Sequence, residues 1–251
     1  MSILTSIKKT IKYSQKHGGF LTKDQLFERL ISNKIYKRKE IYKLIKLKVY
    51  QVKSKKILED KIKKATDLAK IIDQKFKDIL FLGITGSVAA GYPKKNDDID
   101  IVIITKKNKL WINRLKLRFF IVINKIPHRK FGKKEKKDEF CFNLWLDEKA
   151  LEIKDKKQNL KNAMDLILIR PLINKNKTYE KFIYINDWAK KWVATGYNDK
   201  VKKFINLKVT KSYKNIFDMV INWLVFWPQF WYMKKKMKKE KVNLHQAFFH
   251  R

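Results

Sequence analysis

Two aspartates one residue apart, Asp98 and Asp100, open an apolar run, and a Gly86-Ser87 pair closes another apolar run just upstream. In an extended strand residues i and i+2 share a face, so the two carboxylates project side by side while Ile99, Ile101 and Ile103 take the other face. Adjacent anions repel, and a hard divalent ion with oxygen ligands, Mg²⁺ above all, is the usual way to neutralise them. Gly86 lets the backbone approach a ligand. Ser87 stands where a following helix would offer unpaired N–H groups and its positive dipole end. One side of the turn therefore suits phosphates and the other suits their metal.

These residues need particular elements to hold them. Residues 79–105 read as strand (79–84), tight turn, the start of a helix over the small residues 88–91, a Pro-Lys-Lys-Asn-Asp loop, and a second strand that begins at the aspartates. A surface hairpin rich in Asp would account for neither the Gly-Ser turn nor the apolar strands on both sides.

Gly86-Ser87, a ten-residue gap, and Asp98-Ile99-Asp100 flanked by apolar residues resemble the signature of the polymerase-β-like nucleotidyltransferase superfamily. The resemblance implies that the Gly-Ser turn holds a nucleoside triphosphate and that the two aspartates bind catalytic Mg²⁺. It also implies a third metal-binding carboxylate on a neighbouring strand. The alternating segment 139–146 fits that strand, with Phe140, Phe142, Leu144 and Leu146 on one face and Glu139, Cys141, Asn143 and Trp145 on the other. The mid-strand polar residue is Asn143 rather than an acid. The nearest acids on that face are Glu139 at one end and Asp147 at the other; the Asn143 carbonyl can complete a metal shell but takes no proton, so general-base activation of an attacking hydroxyl is weakened or falls to Glu139. Asp98, Asp100, Glu139 and Asn143 are the expected catalytic set. Gly86, Ser87 and Arg114 are the expected nucleotide contacts.

The flanks read as mainly helical. Helical patterns before and after Gly18-Gly19, a Thr22–Gln25 capping box, a third helix at 38–47 and a short strand at 49–52 resemble a winged-helix module. Lys37, Arg38, Lys39, Lys43, Lys46 and Lys48 make the third helix either a phosphate-binding face or a solvated one. An amphipathic helix at 53–77 joins this module to the first strand. A helix at 110–123 carries Arg114 and Arg118 four apart, able to offer cations to the triphosphate or simply solvated. From 151 onward the pattern is helical, with a helix ending before Arg170-Pro171, a second over 179–193 whose tryptophans pack in a core or stack on bases, and an aromatic one at 212–238.

Composition limits the class. The 251-residue chain has a formal charge of +37, which points to a polyanionic partner, with nucleic acid or an anionic membrane surface as the candidates; the excess is Lys rather than Arg and gives a diffuse field. One cysteine, Cys141, excludes an internal disulfide and a Cys-rich zinc site and fits a cytoplasmic location. The segment 216–233 is broken by Asp218, Asn222, Pro228 and Gln229, so it reads as a buried aromatic helix rather than a membrane span.

The expected fold is α+β: a winged-helix-like module at 1–55, a nucleotidyltransferase-type mixed sheet flanked by helices at 56–157, and a C-terminal helical region at 158–251. The expected reaction is Mg²⁺-dependent transfer of a nucleoside monophosphate from a nucleoside triphosphate to an unidentified hydroxyl, releasing pyrophosphate. Two alternatives stand beside it: a nucleotide- or nucleic-acid-binding regulator that has lost catalysis, and a toxin–antitoxin-type enzyme that modifies a protein hydroxyl.

Overall fold

The computed structural model describes residues 2–45, 55–130, 136–204, 215–235, 237 and 240–249. Its centre is a six-stranded mixed sheet. Strand β1 (Ile79–Ile84) lies antiparallel between β4 (Arg170–Asn174) and β2 (Ile99–Thr105). On its other side β2 runs parallel to β3 (Phe140–Asp147). Two short strands from the end of the chain, β5 (Lys241–Val242) and β6 (Gln246–Phe248), complete the order β4-β1-β2-β3-β6-β5.

The alternation along β2 divides the core. Ile99, Ile101 and Ile103 enter one cluster with Ala65, Leu68 and Ile72 of helix α4 (Lys55–Lys75) and Trp111 of α6 (Leu110–Ile123). Val102 and Ile104 enter a second with Met164 and Ile167 of α7 (Leu160–Leu168) and Phe182 of α8 (Thr178–Ile185). Asp98 and Asp100 continue the Val102–Ile104 row, so they face the α7 side of the sheet.

The N-terminal helices α1 (Ile3–Lys16), α2 (Lys23–Glu28) and α3 (Arg38–Lys43) enclose a small core of Ile7, Leu26, Phe27, Leu30 and Ile41. The capping box forms as expected: Gln25 N–H donates to Thr22 Oγ1 at 3.2 Å, and Thr22 N–H to Gln25 Oε1 at 3.1 Å. Helix α3 ends at Lys43, short of the expected 47, and the expected strand at 49–52 lies outside the described residues. This module is fixed to α9 (Lys190–Val201): Ser32 N–H donates to Trp192 O, and Ala194 N–H to Ser32 O, each at 2.8 Å. Gly196 has no room for a side chain against the backbone of Glu28.

Two expectations for the C-terminal region are corrected. It is not purely helical, because three of the six strands come from it. Pro171 is accommodated because β4 is an edge strand, and β5 and β6 are too short to show a period. The aromatic helix, α10 (Ile216–Lys234), is not buried. Asn222, Phe226 and Met233 pack inward, whereas Phe217 is 70 % and Trp231 56 % exposed. Its inward face packs on α6, where Asn222 Oδ1 accepts the Trp111 N–H at 2.9 Å, and Asn222 Nδ2 donates to Leu244 O at 3.3 Å. Trp188 is a core residue, its indole N–H donating to Asn186 Oδ1 at 2.9 Å. Among the described residues no helix is long and apolar enough to cross a membrane.

Candidate active site

Strand β1 stops at Ile84, and Thr85 N–H donates to Asp100 O at 2.9 Å, which ties the turn to β2. Gly86 follows with φ +65°. A Cβ there would lie 3.2 Å from Asp100 Cγ and 3.3 Å from its Cβ, with Oδ2 nearer still, so the missing side chain is the space the carboxylate fills. A short helix, α5 (Gly86–Ala90), ends at Gly91 with φ +87°. The Ser87 hydroxyl donates to Asp97 Oδ2 at 2.7 Å, and the same oxygen accepts Lys94 N–H at 2.9 Å. Asp97, absent from the expected site, thereby fixes the loop between turn and strand.

Asp98, Asp100 and Cys141 each place one potential ligand atom within 4.8 Å of the others. The register pairs Asp100 with Cys141, then shifts, so that Ile101 opposes Phe142 while Val102 opposes Leu144. Asn143 is the extra residue of that irregularity, and such a residue re-aims its side chain. Its Nδ2 donates to Asp100 Oδ1 at 2.6 Å, so the amide nitrogen rather than the carbonyl meets the carboxylate. Arg129 donates from Nη1 to Asp98 Oδ2 at 3.2 Å and lies 3.8 Å from Cys141 Sγ.

Burial raises the Asp100 pKa, against the hydrogen bonds from Asn143 and Cys141 and the fields of Lys161 and Arg129. Burial, with Asp100 and Asp98 adding to it, also pushes the Cys141 thiol up. A protonated thiol is a poor ligand for a hard cation, whereas two carboxylates with an amide beside them supply oxygen donors of the right kind. The donor set therefore fits a divalent ion of the Mg²⁺ class.

Helix α7 covers this face, with Asn159 capping it through the Asn162 N–H at 2.9 Å. Two clefts open beside it. One, of about 210 Å³, lies between Thr85, Asn143, Asn162 and Phe248. The other, of about 150 Å³, lies between Gly86, Ser87 and Tyr92 on one side and Tyr13 and Arg29 on the other. Lys161 and Asp165 line both. Burial pushes the Asp165 carboxyl up to about 6, Lys161 opposing and Asp100 adding to the shift.

Gly86, Ser87, Asp98, Asp100 and Asn143 are thus gathered at one place. Glu139 is not in the three-residue group, although its carbonyl accepts the Ile99 N–H at 2.9 Å. Arg114 is elsewhere: it is buried against α10, donating to Gln229 Oε1 at 2.6 Å and lying over the rings of Trp111 and Phe249. Its expected contact with the nucleotide is replaced by a structural one, because α10 covers that face of α6. Cys141, Asp97, Arg129, Lys161 and Asp165 were missed. Only the face-sharing of Cys141 with Asn143 could have signalled any of them.

Residues 65–185 match the family model described as Nucleotidyltransferase domain, a span containing the Gly-Ser turn, both aspartates, Cys141, Asn143 and α7. No curated protein and no solved structure gave a significant match to the chain.

Proposed function

We propose that this chain, a nucleotidyltransferase over residues 65–185, moves a nucleoside monophosphate from a nucleoside triphosphate to a hydroxyl acceptor and releases pyrophosphate. The observation that carries the reading is the fit of Asp100 into the space left by Gly86, which places a phosphate-binding turn and a carboxylate pair against each other. Asp98 and Asp100 would hold the divalent cation, which when bound neutralises charge on the phosphates. The Gly86-Ser87 turn would position the triphosphate. The acceptor oxygen then forms a bond to the α-phosphorus as the bond to the bridging oxygen of the leaving pyrophosphate breaks, so orientation supplies much of the rate. The acceptor proton passes to a base, for which Glu139, the residue before β3, is the candidate.

A second reading, a binding protein with little or no turnover, draws support from Asn143. Where an acid would add charge and basicity, the amide donates to Asp100 instead. A nucleic-acid acceptor or partner is supported by the +37 charge. On α3, Lys37, Lys39 and Lys43 remain for phosphates, while Arg38 is paired with Asp24.

Incubation with each α-labelled nucleoside triphosphate, Mg²⁺ and cell extract tests the reading. Labelled nucleic acid, protein or metabolite is expected with stoichiometric pyrophosphate, abolished in Asp100→Asn and Asp98→Asn. Nucleotide binding without label transfer would favour the regulator. Label transfer that persists in Asp100→Asn would overturn the site.

A further inference from the structure

One wall of the Gly86-Ser87 cleft comes from outside the nucleotidyltransferase domain. Arg29, the residue that ends α2, is 4 % exposed and lines that cleft opposite the turn. Its Nε and Nη1 are buried without a hydrogen-bond partner. Among the described residues it makes no ion pair. A buried guanidinium with open donors is destabilising unless something anionic completes it. Among the described residues no acid pairs with it. The acid beside it in sequence, Glu28, is exposed, and a second guanidinium, Arg170, adds positive charge nearby while donating from Nε to Ala89 O at 3.1 Å. Asp165 lines the cleft from α7, with Lys161 one turn before it.

The placement of Arg29 is enforced from both sides. Its guanidinium carbon lies 5.8 Å from the centre of the Tyr92 ring, a cation–π distance. Tyr92 follows Gly91 directly after α5, and its ring packs so closely on Gly19 that no side chain would fit there. The turn after α1 and the loop after α5 therefore hold each other, and Arg29 points into the cleft between them.

We infer that Arg29 is a phosphate-binding residue: the N-terminal module completes the nucleotide site by supplying a guanidinium to the phosphates beyond the α-phosphate, opposite Gly86 and Ser87. This rests on the nucleotidyltransferase reading above. A planar guanidinium matches phosphate oxygens in a two-point geometry that Lys lacks. Lys161 of the same cleft adds positive charge. The module thereby belongs to the nucleotide site, whatever else it contacts.

The test uses the full-length chain, with titration calorimetry of Mg²⁺ plus inorganic tripolyphosphate, each nucleoside triphosphate and each monophosphate. Arg29→Gln is expected to weaken tripolyphosphate and triphosphate binding roughly 10- to 100-fold, the range for losing one charge-assisted pair. Monophosphate affinity should be unchanged, and Arg29→Lys should fall between. Ligand-free melting adds a readout with the opposite sign for a purely structural arginine. Arg29→Gln and Arg29→Met should melt no lower than the parent, because a buried unpaired charge is gone, and at a fixed concentration tripolyphosphate should raise the melting point of the parent more than that of either variant. Equal triphosphate affinity in parent and Arg29→Gln would overturn the inference while leaving the transferase reading standing. A drop in ligand-free melting with unchanged affinity would overturn it too. A parent chain that binds no triphosphate would remove the transferase reading itself, and the inference with it.

Discussion

Gly86→Ala tests whether the turn and the metal site form one unit. Gly86 has φ +65°, and an alanine held there costs about 1–2 kcal/mol in backbone strain. Gly91 has φ +87°, and the nearest atom its Cβ would meet is Arg170 Nη2 at 3.6 Å, an ordinary contact. Gly91→Ala thus carries the strain alone, whereas Gly86→Ala must also push Asp100 away from the new methyl group. That movement breaks the 2.6 Å bond from Asn143, which adds about 1–2 kcal/mol for a buried hydrogen bond to a carboxylate. Urea unfolding followed by tryptophan fluorescence should therefore place Gly86→Ala roughly 1–2 kcal/mol below Gly91→Ala. Displacing the carboxylate by about 1 Å should lower label transfer on the order of 100-fold, with Gly91→Ala close to the parent. Equal loss of stability and activity in the two variants would show that Gly86 matters only for its φ angle, and the coupling of turn and carboxylate would be refuted.

Three further perturbations follow. Asp165 has a folded pKa of about 6 against an ordinary 3.8, so the folded state binds the proton more tightly and the stabilising contribution of the neutral form is lost as pH rises between those values. Asp165→Asn should then gain at most about 3 kcal/mol over the parent at pH 7.5, less where solvent reaches the side chain, and nothing at pH 4; the same difference at both pH values in urea titrations would contradict this. Asn143→Asp places a third carboxylate against Asp100, so the variant should melt lower without divalent ion and bind Mg²⁺ roughly 10-fold more tightly; unchanged affinity by calorimetry would count against Asn143 as a neighbour of the metal. Lys61 is 1 % exposed and donates to Asp138 Oδ1 at 2.7 Å and Asp97 O at 2.6 Å, so Lys61→Ala should cost about 3–5 kcal/mol and reduce label transfer by loosening the loop before Asp98. A loss under 1 kcal/mol by urea unfolding would show that α4 does not anchor that loop.

The turn and its aspartates were legible because everything that fixes them is local. A period of two assigns Asp98 and Asp100 to one face, and the apolar runs on either side mark the two strands. Arg29 and Asp165 were not, because neither lies on a patterned stretch that points to the Gly-Ser turn; the tertiary fold alone brings them there. The bulged pairing at Asn143 was equally hidden, since register depends on the partner strand as much as on its own sequence. Helix α10 misled for a different reason. Its apolar residues surround the axis, which reads as burial on every side, but α6 and the segment around Leu244 cover one face and leave residues such as Phe217 and Trp231 exposed.

The position of the carboxylates follows from where the core ends. Val102 and Ile104 are covered by α7 and α8, and the same side-chain row continues to Asp100 and Asp98, where Asp100 lies beside Asn143, which lines one cleft, and Gly86, which lines the other. Charge that would be prohibitive two residues further along β2 is tolerated here because Asn143 and Arg129 donate to it. Across the cleft Arg29 presents the opposite case, a buried cation whose donors the fold leaves open. A phosphate chain passing between them would answer both at once, its metal taken by the aspartates and its far oxygens by the guanidinium.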